Sequence, residues 1–114
     1  MVTAVASVEL LYVTCPDEDT AARIGRLVVE EGLAACVNLW PGLRSIYRWQ
    51  GRIEEAHETV LMVKTSAFLV PAATARIVAL HPYAVPCVLR LPVAGGYPPY
   101  LDWLTGAVNA TPSG

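Results

Sequence analysis

The chain has no run approaching the about 18–20 uninterrupted apolar residues that a bilayer-spanning helix requires. A membrane span is therefore not expected. Its first residues, Met1 to Val8, carry no basic cluster and reach Glu9 early, a poor match to a secretory leader. Cysteine is sparse: Cys15, Cys36 and Cys87 are odd in number, far apart, and form no Cys-x-x-Cys pair. That spacing excludes a disulfide framework and a closed zinc ribbon, and it fits a reducing, cytoplasmic setting. Positive charge is also scarce. Eight scattered Lys and Arg against ten acids leave a net charge of −2, which argues against a nucleic-acid partner. No Ser-His-Asp pattern, glycine-rich phosphate loop or His-Glu-x-x-His motif is present.

What remains is 114 residues, one domain's worth, with 54% apolar residues and only 16% charged. That is apolar for a soluble domain, so part of the surface is expected to meet another chain. A symmetric homo-oligomer is the economical form.

The order of elements is readable from periodicity. Val8 to Thr14 is an apolar run with strand character. Pro16 with Asp17, Glu18 and Asp19 marks a helix start, Ala21, Ile24, Leu27 and Val28 form its apolar stripe, and Gly32 caps it. Ala34 to Leu39 reads as a second strand, broken at Pro41-Gly42 and resumed from Ser45 to Gln50. Gln50-Gly51-Arg52 turns it into a return arm from Ile53 to Thr65. Pro71 opens a second helix with Leu69, Ala73, Ile77 and Leu80 on one stripe, and His81-Pro82 ends it. Cys87 to Val93 is the last strand, and Tyr97-Pro98-Pro99 introduces a short helix.

The fold class is therefore α+β: a ferredoxin-like β-α-β-β-α-β sandwich with an extra C-terminal helix. A single domain is expected over residues 1–108, with a frayed tail over 109–114.

Two dense aromatic and polar segments draw attention, Ser45 to Glu54 and His81 to Pro86. Tyr47 and Trp49 share a strand face beside the hairpin turn and serve either subunit packing or the wall of a pocket. Lys64, on a face with Val60 and Met62, pairs with a carboxylate such as Glu54 or points at an anionic ligand. His81 sits at a helix end, where a cation suits the dipole, and imidazole is also the commonest metal ligand. His57, with Glu54, Glu55 and Glu58, reads as solvated surface. Cys15 just precedes a helix, a place that favours thiolate, but the three acids that follow oppose it; Cys36 reads as a small core residue, and Cys87, buried by default but close to the His81 loop, keeps a ligand role open.

These motifs together resemble the CutA family, the divalent-cation-tolerance proteins. The match runs through Val13-Thr14-Cys15-Pro16-Asp17-Glu18, Leu33-Ala34-Ala35-Cys36-Val37-Asn38, Pro41-Gly42 and Ser45-Ile46-Tyr47-Arg48-Trp49. It continues through Gly51, Ile53-Glu54, Lys64-Thr65, His81-Pro82-Tyr83, Pro86 and Tyr100-Leu101-Asp102-Trp103.

The resemblance implies a cytosolic homotrimer whose sheets join edge to edge, copper or other divalent-cation binding, and no catalytic reaction. It also implies a distant architectural likeness to PII signalling proteins. The residues that match the family's inter-subunit cleft are Tyr47, Trp49, Glu54, Lys64, His81, Tyr83 and Trp103.

The chain departs from the family in three places. Cys87 follows Pro86 where the family usually has glutamate, Leu80 stands where some members have histidine, and Val13 where some have cysteine. His81 is thus the clear metal candidate, and Cys87 would turn a site toward softer ions such as Cu(I) or Zn(II). The alternative function is a PII-like module whose Lys64 and aromatics hold a small anionic ligand between subunits. An enzyme using Lys64, His81 and Tyr83 as acid–base groups is the least supported reading.

Overall fold

A computed structural model describes residues 7–109. The strands are β1 (Val8–Cys15), β2 (Cys36–Trp49), β3 (Arg52–Ser66) and β4 (Val88–Pro92). The helices are α1 (Glu18–Glu30), α2 (Val70–Leu80) and α3 (Pro98–Gly106). The sheet is fully antiparallel in the order β2-β3-β1-β4, as a ferredoxin-like sandwich requires.

Side-chain alternation splits the sheet into two faces. Leu11, Val13 and Cys15 of β1 and Leu61, Val63 and Thr65 of β3 point to the helices and are fully buried. There they meet Ala21, Ile24 and Val28 of α1 and Ala73 and Ile77 of α2. Gly25 permits this closeness, because a Cβ there would lie 2.8 Å from Val37 Cγ2. Arg76 of α2 donates two hydrogen bonds, of 2.8 and 2.9 Å, to the Glu31 carboxylate beyond α1 and ties the helices together.

The cap of α1 lies one residue later than Pro16 suggests. The Asp17 carboxylate accepts a 2.7 Å bond from Thr20 N–H, so Pro16 precedes the cap instead of opening the first turn.

The opposite face is met by helix only at one end, where Tyr100 of α3 lies against Lys64. Its rows, set by strand pairing, are Leu10 with Lys64 and Leu91, then Tyr12 with Met62 and Leu89, then Thr14 with Val60. Leu89 on β4 is 56% exposed, and Trp40 on β2, at the opposite edge of the sheet, is 74% exposed.

The largest correction to the sequence reading concerns β2. Pro41-Gly42 does not break the strand; it forms a bulge between Trp40 and Leu43, with Gly42 at φ +82°, and pairing then resumes. Proline is tolerated because β2 is an edge strand, where a missing N–H leaves no ladder bond unmade. At the far end Gln50 and Gly51 both take positive φ, the signature of a type I′ hairpin turn. Beyond the end of β1, seven residue pairs of β2 and β3 continue as a free two-stranded arm about 20 Å long. The molecule is accordingly elongated, 54 × 27 × 22 Å.

The first residue of the expected tail is tied down. Asn109 donates from its backbone to Gly32 O and from its side chain to Glu31 O, each at 2.9 Å. Residues 110–114 lie outside the described residues.

Candidate functional site

The singled-out residues fall into three places. At the end of the sheet where β1 finishes, Tyr83 and His81 gather over Glu58 and Cys15, with Tyr47 nearby on the arm. At the other end Lys64 meets Tyr100 of α3. Trp49 and Glu54 stand out on the arm, near its tip.

His81 follows α2 in extended conformation and is 7% exposed. Its Nδ1 accepts a 3.1 Å bond from Tyr83 N–H, which places the ring proton on Nε2. Nε2–H then donates to Thr14 O at 2.9 Å. The ring also stacks obliquely on Tyr83, with centroids 4.7 Å apart. Nε2 thus pins the loop after α2 onto β1, while Nδ1 holds the loop's own Tyr83 N–H.

Tyr83 donates its hydroxyl to Glu58 Oε2 at 2.9 Å. Its phenol is pushed well above the usual tyrosine range, first by burial and then by the Glu58 hydrogen bond and charge, with Tyr47 and Cys15 adding to the effect. Glu58 is the residue the sequence reading missed. Grouped there with the solvated acids of the hairpin, it is in fact only 9% exposed, because the Tyr83 loop closes over the root of the arm. The available signal was its place in the row Glu58, Val60, Met62, Lys64, a carboxylate on an otherwise apolar face. His57 and Glu55 are exposed as expected, and Glu55 binds Arg44 at 2.7 Å.

Burial pushes the Cys15 thiol up to about 11 from its ordinary 9.0, with the Glu58 and Asp17 charges adding and Arg23 opposing. The folded thiol therefore keeps its proton at a pH where the unfolded chain has lost it. Between about pH 9 and 11 the native state binds more protons, so stability falls as pH rises. The loss by pH 11 amounts to about 2–3 kcal/mol. Denaturant titrations at pH 8 and 11 are expected to show it, and Cys15→Ala to reduce it, the raised Tyr83 phenol supplying the remainder above about pH 10.

Lys64 does not pair with Glu54. Its Nζ lies 3.3 Å from the Tyr100 hydroxyl and 5.5 Å from that ring's centroid. Trp103, one turn further along α3, stacks obliquely on Tyr100 and lines an open groove with Arg26, Cys36 and Leu39. Cys36 is only half-buried and is the cross-strand partner of Lys64, so it is not the core residue the sequence suggested. Cys87 is half-buried just before β4. Among the described residues no three His, Cys, Asp or Glu side chains gather into a cation site. A single protomer offers His81 and Cys87 as separate donors, and His81 already uses both nitrogens.

The arm carries exposed apolar side chains on both faces. Tyr47 and Trp49 lie on the face shared with Glu54 and Glu58, while Ile46 (64% exposed) and Ile53 (61%) lie on the other. Above the root of the arm a groove of about 380 Å³ opens between Tyr12, Trp40, Leu43, Val60 and Met62.

A ferredoxin-like sandwich with a long β2–β3 arm, and with aromatic and ionisable groups at both ends of an uncovered sheet face, defines a class of small α+β proteins. Comparison with known proteins gives its family. The chain belongs to the CutA1 divalent ion tolerance family, whose profile matches residues 9–107. It is 51% identical over 96 residues to the divalent-cation tolerance protein CutA of Thermus thermophilus, covering 84% of this chain and 93% of that one. It is 53% identical over 98 residues to mouse protein CutA, covering 86% of this chain and 55% of the relative. The chain thus spans about half the length of the mouse protein. The solved structure of the Thermus thermophilus divalent cation tolerance protein superposes with a TM-score of 0.87 at 48% identity, covering 90% of this chain and 99% of that one.

Proposed function

We propose that the chain works as a homotrimeric, cytosolic protein of divalent-cation tolerance that binds copper or a similar ion, with no reaction of its own. The observation that carries the reading is the uncovered arm and sheet face in a chain of this family. Tyr47, Trp49, Trp40 and Leu89 are large apolar side chains left exposed on the arm and the sheet face, which favours contact with another chain. Packing between copies would bring Tyr47, Trp49 and Glu54 from one arm against a neighbour's body. The His81–Tyr83 end of one copy and the Lys64–Trp103 end of another would then form a cleft between them. Three free thiols suit a reducing compartment, and no helix among the described residues is long and apolar enough to cross a membrane.

His81 and Cys87 are the proposed metal donors, a nitrogen and a soft sulfur suited to Cu(I) or Zn(II). Coordination through His81 Nδ1 requires the Tyr83 N–H to release that lone pair. Ion binding is thereby coupled to the loop that covers Glu58.

The test is a calorimetric titration of reduced protein with Cu(II) and with Zn(II), beside His81→Asn. Asparagine places an oxygen near the Nδ1 position and keeps an acceptor for Tyr83 N–H while removing the imidazole. The expected result is saturable binding at a whole number of ions per three chains, weakened at least tenfold in the variant. Weak heat indifferent to His81 would remove the metal from the proposal.

A further inference from the structure

Helix α3 is buried at one end only. Leu104 is fully covered and Val108, just beyond the helix, packs against the core. Residues 94–100, which lead into the helix and open it, are exposed throughout. What fastens the buried end is Asn109. Its backbone N–H donates to Gly32 O and its side-chain Nδ2 to Glu31 O, each at 2.9 Å. Both carbonyls lie at the end of α1, where a helix leaves its last C=O groups without partners of its own. Glu31 is in turn held to α2 through Arg76, so Asn109 is tied to the whole helix layer. The fit is close. Gly32 has φ +73°, and a Cβ there would collide with the Asn109 side-chain amide.

The other end of α3 carries Tyr100 and Trp103, stacked obliquely with centroids 5.5 Å apart. Tyr100 meets Lys64 through one exposed hydrogen bond of 3.3 Å. Cys36 is the cross-strand partner of Lys64 and lines one groove with Trp103 and Arg26. An exposed bond and an exposed ring hold a helix end weakly, so its place is set by the end that is fastened.

We propose that Asn109 is a positioning residue, a latch that holds α3 against α1 so that Tyr100 meets Lys64 and Trp103 screens Cys36. Released from Asn109, α3 pivots about Leu104 and the groove of Arg26, Cys36 and Trp103 opens. The latch lies within one chain and stands whether or not copies assemble.

The three free thiols serve as reporters. Cys15 lies in the core, Cys87 is half-buried before β4, and Cys36 is half-buried beside Lys64. Alkylation of the native, metal-free protein by iodoacetamide, followed site by site by peptide mass mapping, measures how often each is uncovered. Asn109→Ala is expected to speed alkylation of Cys36 at least about tenfold and to leave Cys15 and Cys87 within about twofold of wild type. Gly32→Ala, which pushes the Asn109 side chain away from the α1 side, is expected to act in the same direction, and to add little at Cys36 once Asn109 is alanine. If Asn109→Ala does not fold, Asn109→Asp decides in its place, because it keeps the shape and the backbone bond and loses only the Nδ2 donor. Acceleration shared equally by Cys15 or Cys87 would make Asn109 a general support of the fold and overturn the latch. An unchanged Cys36 rate would overturn it too, leaving α3 held by Leu104. So would a wild-type Cys36 that reacts as fast as in the unfolded chain, since α3 would then screen nothing. Cys36 alkylation that slows with rising protein concentration would place the cover between copies and overturn the latch within one chain.

Discussion

Replacing Tyr47 and Trp49 together by serine is expected to dissociate the assembly while leaving each protomer folded. The two rings are 44% and 47% exposed on an arm that extends beyond the helix-covered body of its own chain, so their loss removes no core packing. An aromatic ring buried at an interface contributes about 1.5–3 kcal/mol by area alone. In a three-fold assembly the change acts at every boundary. The half-dissociation concentration should rise by two or more orders of magnitude, with far-ultraviolet circular dichroism unchanged. An unaltered assembly would mean that the arm is held by Ile46 and Ile53 on its other face, or that it projects into solvent.

The second large effect is expected at His81. His81→Ala removes the bond that satisfies Thr14 O and the acceptor that holds Tyr83 N–H, both in a largely buried corner. Unpaired buried backbone groups cost about 1–3 kcal/mol each, which gives about 2–6 kcal/mol for the variant. Denaturant unfolding of the metal-free protein measures it. Tyr83→Phe is the matched control: it removes the hydroxyl bond to Glu58 and leaves both His81 bonds in place. A loss below about 1 kcal/mol for His81→Ala would show that water or another group takes over both bonds. A large loss in metal-free protein means that a lost metal signal in His81→Ala alone cannot be read as lost ligation, which is why asparagine is the better probe.

The order of strands and helices is legible because each carries its own periodicity. Leu11, Val13 and Cys15 alternate into the core, and Ala21, Ile24 and Val28 repeat at helical spacing. The unbroken β2 is not legible, because Pro41-Gly42 is strong local punctuation. Only the position of β2 at the sheet edge, a tertiary fact, lets the strand continue through it. Glu58 reads with Glu54 and Glu55 as solvent-facing because nothing local says that the residue 25 positions later will cover it. Sequence proximity pairs Lys64 with Glu54, whereas its neighbour is Tyr100, 36 positions away. The double hydrogen bond of His81 depends on Thr14, 67 positions earlier. Local pattern gives the elements; these side-chain partnerships depend on how the elements dock.

A protomer that is an incomplete unit, its site finished by other copies, must assemble in solution. Static light scattering of the eluting protein, across a hundredfold range of concentration, tests it most directly. One particle is expected at three times the 12.2 kDa chain mass, unchanged on dilution. A particle of single-chain mass at every concentration, with the arm and sheet face left in water, would contradict it.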